Sequence, residues 1–73
     1  RVGMEKHPDL VMLGKQIRAL RESRGYSQEG FAMEADLDRT YYAGVERGER
    51  NVSALNLMKI AKHLEVGVGE LFS

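Results

Sequence analysis

Between Asp38 and Arg47 the sequence reads DRTYYAGVER. Stepping about 100° per residue from Arg39, the helical repeat, separates these side chains into two groups. Arg39, Thr40, Ala43, Gly44 and Arg47 gather on one side, and Tyr41, Tyr42 and Val45 on the other. The first group has the chemistry of a surface that reads base edges. Arg39 carries a planar fork that matches O6 and N7 of guanine, and Ala43 can touch a thymine methyl. Thr40 can reach a base edge or a phosphate. Ala43 and Gly44 are small enough to let a helix backbone approach the floor of a groove. Each feature also has a plain alternative. An arginine at a helix start is ordinarily just solvated, and small residues can simply be tolerated, glycine at a cost of about 1 kcal/mol relative to alanine. The wheel does not separate Tyr41 from Tyr42.

A second set of residues suits phosphate contacts, which fix register without reading sequence. A helix starting at Gln28 would present free N–H groups and a positive dipole end at Ser27 and Gln28, and the Gln28 amide could add a hydrogen bond. Arg47, Arg50, Asn51 and Ser53 follow the 39–47 segment. Ser27 and Ser53 are also good helix N-caps, and a cap and a phosphate contact can coexist.

Other chemistry is not indicated. His7 and His63 stand far apart, with no carboxylate cluster at metal-ligand spacing, so no metal site is expected. Gly67-Val68-Gly69 is a fragment of a glycine-rich loop that follows no strand, so it is not a phosphate cradle. No nucleophile or acid–base pair is ordered, and neither enzymatic activity, a cofactor nor a small-molecule ligand is expected.

The elements that must position these residues are helical throughout. Pro8 and Asp9 suit the first turn of a helix over residues 8–24, and Leu10, Leu13, Ile17 and Leu20 form its apolar stripe. Gly25 stops it. Ser27 caps a second helix over residues 28–35, with Phe31, Ala32 and Ala35 on one face. Asp36, Leu37 and Asp38 make a turn, Asp38 caps a third helix over residues 39–47, and Gly48 ends it. Ser53 caps a fourth helix over residues 54–64, striped by Leu57, Ile60, Ala61 and Leu64 and broken by Gly67. Residues 68–72 read as a last short turn of helix. The expected architecture is therefore an all-α, five-helix domain over residues 8–73, preceded by an arm at residues 1–7. The chain begins at Arg1, so Met4 is expected to be the natural start and residues 1–3 an appended scar.

Composition narrows the class. A chain of 73 residues supports one domain with one small core. With no cysteine, neither disulfides nor a cysteine-based zinc site can supplement that core. No apolar run approaches the ~18 residues of a membrane span, and a cytoplasmic protein is expected. The formal net charge of +0 speaks against a purely electrostatic nucleic-acid binder. It leaves room for a specific reader, because local clustering matters more than the sum. Lys15, Arg18, Arg21 and Arg24 recur at every third position of the first helix. Complementing that helix's dipole is the preferred reading of this run over a nucleic-acid patch.

Residues 13–72 resemble the Cro/repressor-like (XRE-type) helix-turn-helix family. The segments that carry the likeness are Ile17-Arg18-Ala19-Leu20-Arg21, Ser27-Gln28-Glu29, Phe31-Ala32, Glu46-Arg47-Gly48 and Leu57-Met58-Lys59-Ile60-Ala61. Leu37-Asp38-Arg39-Thr40-Tyr41, followed by Glu46-Arg47-Gly48 and Arg50-Asn51, looks most like the controller proteins of restriction-modification systems. The chain departs from the family pattern at Asp36, where glycine is frequent, at Val52, where proline is common, and at Gly44, which occupies a recognition-helix position that often carries a base-reading side chain in the family. The resemblance assigns Tyr42 to the core and leaves Tyr41 at the rim, within reach of DNA. It also pairs Glu46 with Arg21 in a partly buried bridge that fixes the angle between helices.

The resemblance and the residues together imply a sequence-specific DNA-binding transcriptional regulator. Base contacts are expected from Arg39, Thr40, Tyr41 and Ala43. Phosphate contacts are expected from Ser27, Gln28, Arg47, Arg50, Asn51 and Ser53. One such module makes few contacts, so a homodimer on a two-fold-related operator is expected. Val66, Val68, Leu71 and Phe72 are the candidates for its interface, with closure of the core as the equal alternative for Leu71 and Phe72. The competing classes are a protein-interaction or antitoxin module of the same fold, and the DNA-targeting domain of a larger protein.

Overall fold

A computed structural model describes residues 6–73, which form α1 (Pro8–Ser23), α2 (Gln28–Glu34), α3 (Arg39–Glu46), α4 (Ala54–Leu64) and a closing 3-10 turn (Val68–Phe72). The arm expected over residues 1–7, with the start expected at Met4, lies mostly outside the described residues. The described residues contain no strand. The fifth element is a correction to the expected five α-helices: it spans only five residues, too few to nucleate an α-helix, and short runs adopt the tighter 3-10 form. The Gly67 N–H donates to Glu70 Oε1 at 3.0 Å and anchors its start.

Side-chain caps open each α-helix. His7 Nδ1 accepts from the Asp9 N–H, Ser27 Oγ from Gly30, Asp38 Oδ2 from Tyr41 and Ser53 Oγ from Asn56. Each satisfies one of the N–H groups that a helix start leaves without a partner. The helices also close alike. Gly25, Asp36, Gly48 and Glu65 all have positive φ, and the next residue's N–H bonds back to a carbonyl five residues earlier. This left-handed closure explains why α4 ends at Leu64 rather than running on to Gly67. Glu65 takes φ 62° and turns Val66 back onto the core, its N–H reaching the Ala61 carbonyl at 3.0 Å.

The apolar stripes meet in one core of Leu13, Ile17, Phe31, Ala32, Ala35, Tyr42, Val45, Ile60, Ala61, Leu64 and Leu71. Phe31 packs between Tyr26 and Tyr42, with ring centroids 5.3 Å from each. α1 lies against the C-terminal end of α3 so closely that a Cβ at Gly14 would stand 2.6 Å from the Val45 carbonyl oxygen and collide with that of Glu46. At Gly48, a Cβ would lie 2.7 Å from Val11 Cα. These two glycines set the α1–α3 separation. The periodic stripe gives no sign of Gly14's role, because it fixes which face of α1 is buried and not how near the partner backbone comes.

A candidate nucleic-acid interface

α3 is held from behind and bare in front. On the inner side Tyr42 and Val45 are buried, at 0% and 1% exposure. On the outer side Arg39, Thr40 and Arg47 are exposed and Ala43 is half-buried. Arg39, Thr40, Ala43 and Arg47 line a shallow depression that Gln28 of α2 completes. The other flank is the start of α4, where the Asn56 Nδ2 donates to the Tyr41 hydroxyl at 3.1 Å. The outer face of α3 thus lies between the N-terminal ends of α2 and α4.

A buried polar network sets this posture. Glu46 accepts from Arg21 Nε at 2.7 Å, Arg21 Nη2 at 3.1 Å, Gln28 Nε2 at 3.0 Å and the Tyr42 hydroxyl at 2.5 Å. A carboxylate has about four acceptor sites, so Glu46 is saturated, and its partners come from α1, α2 and α3. Arg21 Nη1 also donates to the Tyr26 carbonyl at 2.9 Å, tying in the α1–α2 loop. No buried side-chain nitrogen or oxygen among the described residues lacks a partner. Burial by itself would push the Glu46 carboxyl up, but the hydrogen bonds from Arg21, Tyr42 and Gln28 outweigh it and hold it below the usual carboxylate range. The hydrogen bond to Glu46 raises the Arg21 guanidinium against the opposing effect of burial. Burial, then the bond to Glu46, pushes the Tyr42 phenol up and keeps it neutral.

Several sequence expectations change in this frame. Gln28, expected on phosphate, gives one of its two side-chain N–H groups to Glu46. The residues expected around phosphates otherwise remain at the surface: Ser27, Arg47, Arg50, Asn51 and Ser53 are all exposed. Arg47 is not free, since its Nε donates to Glu49 Oε1 at 2.9 Å. Gly44, grouped with the outward residues by the wheel, is buried, because the Arg50 side chain crosses over it. Tyr41, expected at the rim, is half-buried against the core at the α4 flank. The wheel treats the helix as an isolated cylinder and cannot register what neighbouring segments cover.

The basic run of α1 is consumed within the domain at most of its positions. Arg18 pairs with Glu22, Arg21 with Glu46, and Arg24 Nε donates to the Leu64 carbonyl at 2.8 Å. Of the residues expected at a dimer interface, Leu71 is wholly buried at 0% exposure. It faces inward because the 3-10 turn packs against both α1 and α4. Val66 is half-buried against the core, while Val68 and Phe72 face outward. Among the described residues no group of three or more His, Asp or Glu side chains could hold a metal ion. No helix there is long and apolar enough to cross a membrane.

Two short helices joined by a tight turn, the second one inward-packed and outward-bare, define a helix-turn-helix protein. The chain belongs to the helix-turn-helix family HTH_3, whose model matches residues 17–71. It is 48% identical over 64 residues to the control protein C.MunI from a Mycoplasma species, covering 86% of each chain. It is also similar to the crystal structure of the restriction-modification controller protein C.AhdI from Aeromonas hydrophila. That match has a TM-score of 0.88 and 48% identity, and it covers 90% of this chain and 100% of that one. A further neighbour is C.Esp1396I bound to a 19 base pair DNA duplex, with a TM-score of 0.81 and 36% identity over 90% of this chain and 88% of that one.

Proposed function

We infer that this protein is a sequence-specific DNA-binding transcriptional regulator that lays α3 in the major groove. The observation that carries the reading is the open outer face of α3, presented between the starts of α2 and α4. Its kinship with controller proteins, one of them seen on a DNA duplex, supports the same reading. Arg39 reads a guanine, Thr40 and Ala43 meet neighbouring base edges, and Tyr41 reaches DNA from the rim. Ser27, Arg47, Arg50, Asn51 and Ser53 hold phosphates. The Ser27 and Ser53 hydroxyls serve as caps by accepting, so each still has a proton to donate.

The regulator acts as a homodimer on a palindromic operator in the cytoplasm, with residues 8–73 as its DNA-binding unit. One recognition helix with four base-reading candidates makes few contacts, and two half-sites one helical turn apart double them. Val68 and Phe72, exposed at 38% and 61%, together with Met12 at 69%, supply an apolar surface for the partner.

Selection of bound sites from a random duplex pool tests the reading. A two-fold-related consensus is expected. Arg39→Ala should relax preference at one base pair per half-site, at a cost of ~1–3 kcal/mol. Absence of salt-sensitive binding to any duplex would refute the proposal and favour a protein-interaction module of the same fold.

A further inference from the structure

Glycine inside a helix is destabilising relative to alanine, so its presence in α3 calls for a local reason. At Gly44 the reason lies in the loop that follows. A Cβ at position 44 would lie 2.9 Å from Arg50 Cγ and 3.3 Å from Arg50 Nε. The Arg50 stem therefore rests in a notch in the helix surface. Its guanidinium carbon stands 5.8 Å from the centroid of the Tyr41 ring, within cation–π range. The ring is itself held, because Asn56 Nδ2 donates to the Tyr41 hydroxyl, and the Tyr41 backbone N–H is anchored by the Asp38 carboxylate.

We propose that Gly44 is a positioning residue for DNA binding: its lack of a side chain makes the seat that lays Arg50 across α3 against Tyr41. The proposal rests on the DNA-binding reading above. Arginine carries large rotamer entropy, and a side chain already held in place loses little of it when a ligand arrives. Gly44 thus contributes to binding without touching DNA, by setting the guanidinium beside the outer face of α3 beforehand. The same notch gives a backbone position a function that a direct base contact from residue 44 could not have.

Gly44→Ala tests this. Alanine is the better helix former, and the first atoms it meets belong to a flexible side chain. The fold is therefore retained and Arg50 is what moves. Affinities for one selected duplex would be measured for the wild type, Gly44→Ala, Arg50→Ala and the double variant. Gly44→Ala should weaken binding about 2- to 12-fold, the loss from one side chain that must order on binding. In the Arg50→Ala background the same substitution should change affinity less than about 2-fold, because the group it acts through is gone. In the DNA-free protein, nuclear Overhauser contacts between Arg50 and the Tyr41 ring should be present and should vanish in Gly44→Ala. Equal weakening in both backgrounds overturns the seat, since it places the new methyl against DNA itself. Wild-type affinity in Gly44→Ala, or persistence of its Arg50–Tyr41 contacts, overturns it as well. A wild type that binds no duplex overturns the DNA-binding reading together with this proposal, which distinguishes the two failures.

Discussion

Replacing Arg21 by alanine should unfold much of what holds α3 in place. Arg21 provides two of the four hydrogen bonds to Glu46 and one to the Tyr26 carbonyl. The Glu46 side chain is only 3% exposed, so its charge would stay buried with Gln28 and Tyr42 as the remaining donors. Breaking a buried ion pair from one side costs ~3–5 kcal/mol. A domain of 73 residues has roughly 4–11 kcal/mol of stability in total, so the loss is about a quarter or more of it at the most stable end and most or all of it at the least stable end. The cost should also depend on pH. In the wild type the Glu46 carboxyl sits below its unfolded value of about 4.3, and its contribution is present above that value and lost as pH falls through the lower folded one. Without Arg21, the strongest of the effects that lower the carboxyl is gone, and it moves up from its wild-type position. The folded variant then takes up a proton before the folded wild type does, and the gap between them narrows on acidification. Urea unfolding followed by far-UV circular dichroism at pH 7 and pH 4 measures both quantities. A difference below about 1 kcal/mol at pH 7, or one that does not shrink at pH 4, would refute the reasoning.

Glu49→Gln should release Arg47 from its 2.9 Å partner and tighten binding to all duplexes alike, with a steeper salt dependence; unchanged affinity in salt titrations would mean the pair does not compete with phosphate. Gly14→Ala should cost about 1–3 kcal/mol or more despite the better helix propensity, because the new methyl meets the Val45 and Glu46 carbonyls. An unchanged melting temperature would contradict that contact. Glu65→Gly and Asp36→Gly should both stabilise, each by up to about 1 kcal/mol, by relieving left-handed backbone at φ 62° and 58°. Glu65→Gly should gain more, since the short polar chain of aspartate tolerates that conformation better, and thermal melts showing the reverse order would count against it. Raising pH above about 10 should destabilise the protein, because burial and Glu46 hold the Tyr42 phenol neutral in the folded state and it ionises only in the unfolded chain; alkaline denaturation that is unaltered in Tyr42→Phe would exclude it.

The helices and most of the core were legible because periodicity, caps and stops are local. Leu13, Ile17, Phe31, Ala32, Ala35, Tyr42, Val45, Ile60, Ala61 and Leu64 all lie where their stripes put them, buried. Ser27, Asp38 and Ser53 cap the helices that follow them. The family followed from motif residues along the chain, and with it the pairing of Arg21 with Glu46. The outer residues Arg39, Thr40, Ala43 and Arg47 were also within reach of a wheel, because one rotation per residue decides which side of a helix they share.

Tertiary structure decided what loops and neighbouring elements do to one another's side chains. Only the packed domain shows that Gln28 turns to Glu46, that Glu49 claims Arg47, that Arg50 roofs over Gly44 and that Leu71 closes the core. None of these pairs is set by helical spacing, and each depends on the path of a loop or the approach of two backbones. Sequence alone determined which face each helix offers; the fold determined which of those offered groups were already spoken for and which were left for a ligand.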